Sequence, residues 1–243
     1  MKHLRLLRDT ITWIFRGSLV RRRQQVLEQM YEVGNRSGLF IAATLAVLGM
    51  ITVLQALAQI ERIVPEFSMV GPAFIQGMVR EFAPTITGLM IATRVGSGIA
   101  AEIGSMVVTE QVDALRMCNA EPIDYLIAPR FFACIVMSVA LTILGAAVGI
   151  LAGGFIGIVF WNIPAELFFR LNVVTVGDAI SGLLKAISYG MAIPIVAGQA
   201  GFETYGGSEG VGEATTRAVV NASFVVIVFD LILSGLSYMV LFR

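Results

Sequence analysis

The sequence predicts an all-α integral membrane protein, with an N-terminal interfacial helix, five transmembrane helices, and a short helix in the polar loop between spans 2 and 3. Three observations predict it. Of the 243 residues, 57% are hydrophobic and 14% charged, and the mean hydropathy is +0.83, outside the range of soluble globular domains. Five segments approach the roughly 20 apolar residues that a bilayer core of about 30 Å requires. The 17 basic and 17 acidic residues cancel, yet up to Arg36 eight positive residues face three negative ones. That bias predicts a cytoplasmic N-terminus, and the zero net charge gives no reason to expect a nucleic-acid partner.

Residues 1–36 read as a cytoplasmic or interfacial amphipathic segment, because the apolar run TITWIF is too short for the hydrophobic part of a signal peptide. Residues 37–243 form the membrane domain, with spans at about 39–59, 71–103, 131–160, 176–202 and 218–242. The second is interrupted by Arg80, Glu81 and Pro84, so its first part reads as a re-entrant or extracytoplasmic piece and the span proper starts at Pro84. Five spans from an inner N-terminus put the C-terminus on the periplasmic side. WNIPAELFFRLN, from Trp161 to Asn172, reads as a short interfacial helix with Pro164 near its first turn and its aromatic residues at headgroup depth. Cys118 and Cys134 fall in a loop and a span, an arrangement that suits neither a disulfide nor a metal site.

Small residues recur every fourth position at Gly145, Gly149, Gly153 and Gly157, and again at Gly182, Ala186, Gly190, Pro194 and Gly198. Such stripes let helix backbones approach closely, first of all within one chain and secondarily at a dimer seam. Lys185 in the fourth span and Asp230 in the fifth are costly at membrane depth, so an intramembrane Lys185–Asp230 ion pair is expected, a structural clasp in preference to a proton relay. Asp178, at the outer start of the fourth helix, is placed either to favour that helix terminus or to join the network. Arg94, Gly98 and Glu102 share one helix face at i, i+4 and i+8.

The polar loop holds Glu110, Gln111, Asp113, Ala114, Leu115 and Arg116, with Thr109 suited to the N-cap and Asn119 to a left-handed ending before Pro122. Val112 and Leu115 would share one side. A dedicated helix where a short turn would suffice suggests docking to a cytoplasmic partner; the plainer alternative is a helix that tiles the membrane surface. No G-x-x-x-x-G-K-[ST] loop occurs and His3 is the single histidine, so catalytic, metal-ligand and P-loop constellations are not expected in this chain.

The run REFAPTITGLMIATRVGSGIAAEIGSMVVTEQVDALRMCNAEPIDYLIAPR, Arg80 to Arg130, closely resembles the MlaE-type permeases of MCE-associated ABC transporters, and GSEGVGEATTRAVVNAS, Gly207 to Ser223, resembles their second cytoplasmic signature. Glu81, Arg94 and Glu102 are the charges of the first motif. The resemblance implies a homodimeric permease in the inner membrane of a diderm bacterium, moving phospholipid between inner and outer membranes to maintain outer-membrane lipid asymmetry. It implies an ABC ATPase subunit carrying ATP and Mg, a periplasmic MCE-domain protein, and room for a STAS-domain regulator. Glu110 to Arg116 would then be the element seated in the ATPase. For the lipid path the outer part of span 1 and the following segment offer Leu54, Leu57, Ile60, Val64, Phe74 and Met78, residues equally suited to face bulk lipid or the core. Two alternatives stand beside transport by an ABC permease. A scaffold anchoring an MCE ring would tolerate changes in the loop helix, and a secondary transporter should show inverted repeats, which five spans do not provide.

Overall fold

The structure is a computed structural model that describes residues 23–63 and 67–241. Its helices, in chain order, are α1 (Arg23–Ile63), α2 (Val70–Gly77), a π-helical turn (Met78–Phe82), α3 (Ala83–Val108), α4 (Gln111–Met117), α5 (Pro122–Leu126), α6 (Ala128–Trp161), α7 (Ala165–Phe168), α8 (Val176–Phe202) and α9 (Gly207–Leu241). Among the described residues five helical stretches are long and apolar enough to cross a membrane: Arg23–Arg62, Val70–Val108, Pro122–Trp161, Val176–Phe202 and Gly207–Val240. The chain is a multi-pass membrane protein.

Three boundaries differ from the sequence reading. Residues 1–22, which hold most of the expected interfacial segment, lie outside the described residues, and from Arg23 the chain runs without a break into the first span. The expected interruption near Pro84 is instead continuous helix. Proline has no N–H and crowds the carbonyl four residues earlier, here that of Arg80. The turn before it widens so that the Ala83 N–H bonds the Met78 carbonyl, five residues back, and helix continues on both sides. Finally, α9 starts at Gly207, eleven residues before the expected span, because Gly206 and Gly207 take φ of 86° and 74° and reverse the chain there.

The helices cluster into two compact units, and each of the five crossing stretches contributes to both. One unit contains the chain up to Ser37, Gly88–Val139 and Ile187–Asp230. Its core gathers Val33, Ile99, Ile103, Val112, Leu126, Ile127, Cys134, Ala197, Ala200 and Ala218. Glycines set its close approaches. A Cβ at Gly190 would lie 2.8 Å from the Cys134 carbonyl oxygen, and one at Gly88 2.6 Å from the ring of fully buried Tyr189.

The other unit contains Gly38–Thr87, Ala140–Ala186 and the chain from Leu231. Here Ile41, Leu45, Val53 and Leu57 of α1, all without exposed surface, recur with Gly49 at four-residue spacing. They meet the glycine stripe of α6. A Cβ at Gly145 would strike Leu45, one at Gly149 would strike Met78, and one at Gly153 would fall 2.9 Å from Val53 and 2.7 Å from Phe74. The stripe is therefore used within the chain. The segment after α6 forms the expected short helix, with Pro164 at the N-cap position of the four-residue α7, and Phe168 is buried, 6.2 Å from the ring of Phe74.

A backbone-to-backbone contact in this unit yields a test. A Cβ at Gly49 would run into the backbone carbonyl of Gly149, which no rotamer change can move aside. Gly49→Val should lower stability by about 2 kcal/mol or more, as overpacking does. Gly235→Ala, where a Cβ meets nothing within 4 Å, should raise it by a few tenths to about 1 kcal/mol. Unfolding midpoints of the detergent-solubilised variants check both signs.

Candidate functional site

Two groups of polar residues stand out against the apolar helices, and the first surrounds the π turn. Lys185 on α8 has no exposed side-chain surface. Its ammonium pairs with Glu81, which the π turn presents, and donates to Ser234 Oγ on α9 at 2.7 Å. The Ser234 hydroxyl in turn donates to Glu81 Oε2 at 3.2 Å, closing a triangle of lysine, carboxylate and hydroxyl. A charge taken out of water needs such compensation, since burial alone costs several kcal/mol per ion. One turn away on α8, Ser181 Oγ donates to Ser237 Oγ at 2.9 Å.

Asp178 completes the same unit at the start of α8. Its Oδ2 accepts from the Thr175 N–H at 2.8 Å and from Thr175 Oγ1 at 2.9 Å, while its own N–H reaches Thr175 Oγ1 at 3.4 Å, a reciprocal cap on the first turn. The Gln76 amide donates to the same oxygen at 3.1 Å, and Arg80 Nη1 lies 3.9 Å from the other. Arg80 Nε also lies 3.5 Å from Glu81 Oε1. The chain thus arranges Gln76, Arg80, Glu81, Asp178, Lys185 and Ser234 as one polar patch between α2, α8 and α9.

In the other compact unit Asp230 accepts a hydrogen bond from Tyr189 Oη at 2.8 Å, and its pairing with Lys185 stands as an expectation from the sequence. Sequence reasoning did not connect Glu81 to Lys185, 104 residues away. The signal was present: a carboxylate inside a stretch otherwise long and apolar enough to span must find a cation, and the chain has two lysines. Among the lipid-path candidates, Leu57, Phe74 and Met78 are buried in helix packing, so in the single chain they hold α1, α2 and α6 together and offer no open wall. Leu54 remains exposed, Ile60 is partly exposed, and Val64 lies outside the described residues.

The second group is the loop helix α4, Gln111–Met117, in the place the sequence indicated. Its entry differs. Thr109 does not cap it: its hydroxyl bonds back to the Ser105 carbonyl at 2.8 Å, finishing α3, and Glu110 makes the turn with φ of 61°. Asn119 ends the helix at φ of 56°, as expected. Val112 is buried in the core cluster and Leu115 packs against it. Gln111, Asp113, Ala114, Arg116 and Met117 face outward with Glu110. Asp113 and Arg116 bond each other at 2.9 Å along that face while both stay largely exposed. The result is a short helix nailed down on one side and presenting a mixed polar surface on the other.

Residues 26–236 match the family described as Permease MlaE. The chain is 35% identical over 217 residues to a probable ABC transporter permease protein of Rickettsia typhi, covering 88% of this chain and 83% of the relative. A probable ABC transporter permease protein of Synechocystis sp. is 37% identical over 224 residues, 89% of this chain and 82% of its own. The intermembrane phospholipid transport system permease protein MlaE of Haemophilus influenzae is 33% identical over 216 residues, 88% and 82% respectively.

The triangle around Lys185 can be probed by a double-mutant cycle with Lys185→Met and Glu81→Gln. The single lysine replacement should cost about 2 kcal/mol, because it leaves a half-buried carboxylate with only Arg80 and Ser234 to compensate it. The double variant should lose at least about 1 kcal/mol less than the sum of the singles. Chemical unfolding in detergent gives the coupling, and strict additivity would show that the two side chains do not interact.

Proposed function

Because the chain belongs to the MlaE permease family, we propose that it is the membrane subunit of an ABC transporter that moves phospholipid between two membranes. The observation that carries this reading is α4, whose Val112 and Leu115 sit in the core cluster while its outer face stays free. A partner ATPase, holding ATP and Mg, would seat on that face. Any displacement of α4 would pass through Val112 and Leu115 to Ile99, Ile103, Leu126 and Ala200, residues on α3, α5 and α8. The name of the Haemophilus relative supports phospholipid as cargo.

The finer assembly follows from the same reading. The chain would lie in a bacterial inner membrane with its N-terminus and α4 in the cytoplasm, work as a homodimer, and deliver lipid to a periplasmic MCE-domain protein; a STAS-domain regulator would approach from the ATPase side. The apolar face of α9 carrying Val220, Phe224 and Ile227 is exposed in the single chain and suits lipid or a second copy. Sustained lipid asymmetry of the outer membrane would be the physiological result.

Charge inversion on α4 tests the coupling role without unfolding the helix. Asp113→Arg with Arg116→Glu keeps opposite charges at i and i+3 but reverses their order along the helix dipole, so stability should fall by about 1 kcal/mol at most. The surface offered to a partner is nonetheless inverted. In proteoliposomes holding the chain with its ATPase, ATP-dependent phospholipid transfer should fall at least tenfold. Unchanged transfer would make α4 a surface connector, no transfer by the parent complex would favour a scaffold, and transfer that never depends on ATP would favour a secondary transporter.

A further inference from the structure

A polar cavity of about 290 Å³ lies between α1, α3 and the start of α6, lined by Glu32, Arg36, Ser37, Arg94, Glu102 and Arg130 together with Gly98 and a few apolar residues. It lies wholly within the unit that contains α4 and is separate from the patch around Lys185.

Its charges are unevenly satisfied. Arg36 lies 3.5 Å from Glu32, both exposed, and Arg130 Nη2 pairs with Glu102. These pairs leave Arg94, which is exposed and makes no side-chain ion pair among the described residues, as the surplus cation. Two donors are also buried without a partner among the described residues. Arg130 is 5% exposed and Ser37 2% exposed, and neither Arg130 Nη1 nor the Ser37 hydroxyl meets a hydrogen-bond partner there. Buried guanidinium and hydroxyl groups are normally paired, because leaving one unmade costs its full desolvation. Gly98 keeps the middle of the cavity open, since a Cβ there would meet nothing within 4 Å. A surplus positive charge, one unsatisfied guanidinium nitrogen and a free hydroxyl around one opening are complementary to an oxyanion with several acceptor oxygens.

We propose that this cavity binds a phosphate group, held by Arg94, Arg130 Nη1 and Ser37 Oγ, either on a phospholipid headgroup or as free phosphate. The volume suits a headgroup and excludes a diacyl lipid as a whole. The lining lies on the stretches of α1, α3 and α6 next to or within their apolar runs, where lipid phosphate is the abundant anion. The site is independent of the lipid path and of the docking of α4.

The test uses the full chain in an uncharged detergent, titrated with short-chain phosphatidylglycerol and separately with inorganic phosphate, and read by native mass spectrometry. Arg94→Gln removes the exposed cation, and Gly98→Leu fills the opening without touching a charge; neither alters a buried partner. Each should weaken binding at least tenfold, with unfolding midpoints close to that of the parent chain. Variant-sensitive binding of phosphatidylglycerol alone identifies a headgroup site, and equal sensitivity toward inorganic phosphate identifies a free-phosphate site. If neither probe binds, or if both variants bind as the parent does, the proposal is overturned and the unpaired donors are simply hydrated.

Discussion

An ammonium with no exposed surface, placed in an apolar helix, has to meet a counter-charge, and much of the unit around α2 and α6 follows from how Lys185 does so. Glu81 can reach it only because the π turn carries that carboxylate on a continuous helix instead of a loop. A loop at this depth would expose backbone groups that lipid cannot satisfy. The widened turn therefore accommodates Pro84 and positions Glu81, with Ser234 binding the pair from α9. Close helix approach keeps the ammonium and carboxylate together and out of water. Gly182 supplies it, since a Cβ there would run into the Val79 carbonyl beside the same turn.

Alpha-helical spans were the most legible part of the sequence, because an apolar run of about 20 residues has few other readings. The stripe from Gly145 to Gly157 was also readable as helix packing, though its partner, the stripe from Ile41 to Leu57, was not: one side of it was taken for a lipid wall. Periodicity shows that residues share a face and cannot show what that face touches. Leu54 and Leu57 are three residues apart, yet one is exposed and the other has no exposed surface.

Local polar chemistry was harder to read. Arg80, Glu81 and Pro84 together resemble a break, and only the geometry of the turn shows that helix absorbs them. Thr109 has the composition of an N-cap, but its hydroxyl is taken by the Ser105 carbonyl, so Glu110 makes the turn in a left-handed conformation without a capping bond. Phe168 was read only as an aromatic anchor, whereas Gly157 leaves room that its ring fills and Gly71 lets its backbone approach α2. In each case a contact distant in sequence decided between two locally reasonable conformations.

Glycines carry the same lesson into function. In sequence, Gly96, Gly98, Gly149 and Gly190 are alike: small residues in apolar helices. In space, Gly149 and Gly190 have neighbouring backbone where a side chain would go, and Gly96 has ordinary contacts with Ile193 and Ala197. Gly98 alone of these four has open space beside it. A packing glycine permits two helices to touch, so its pocket is filled by protein; an open glycine bordered by unpaired donors is a vacancy with chemistry around it. Arg94 and Glu102 lie one turn to either side of Gly98, and Arg130 faces them from α6. The long motif that contains all four residues thus does two physically distinct things: its later part shapes α4, and its earlier part lines a small cationic cavity that the packing of the helices does not account for.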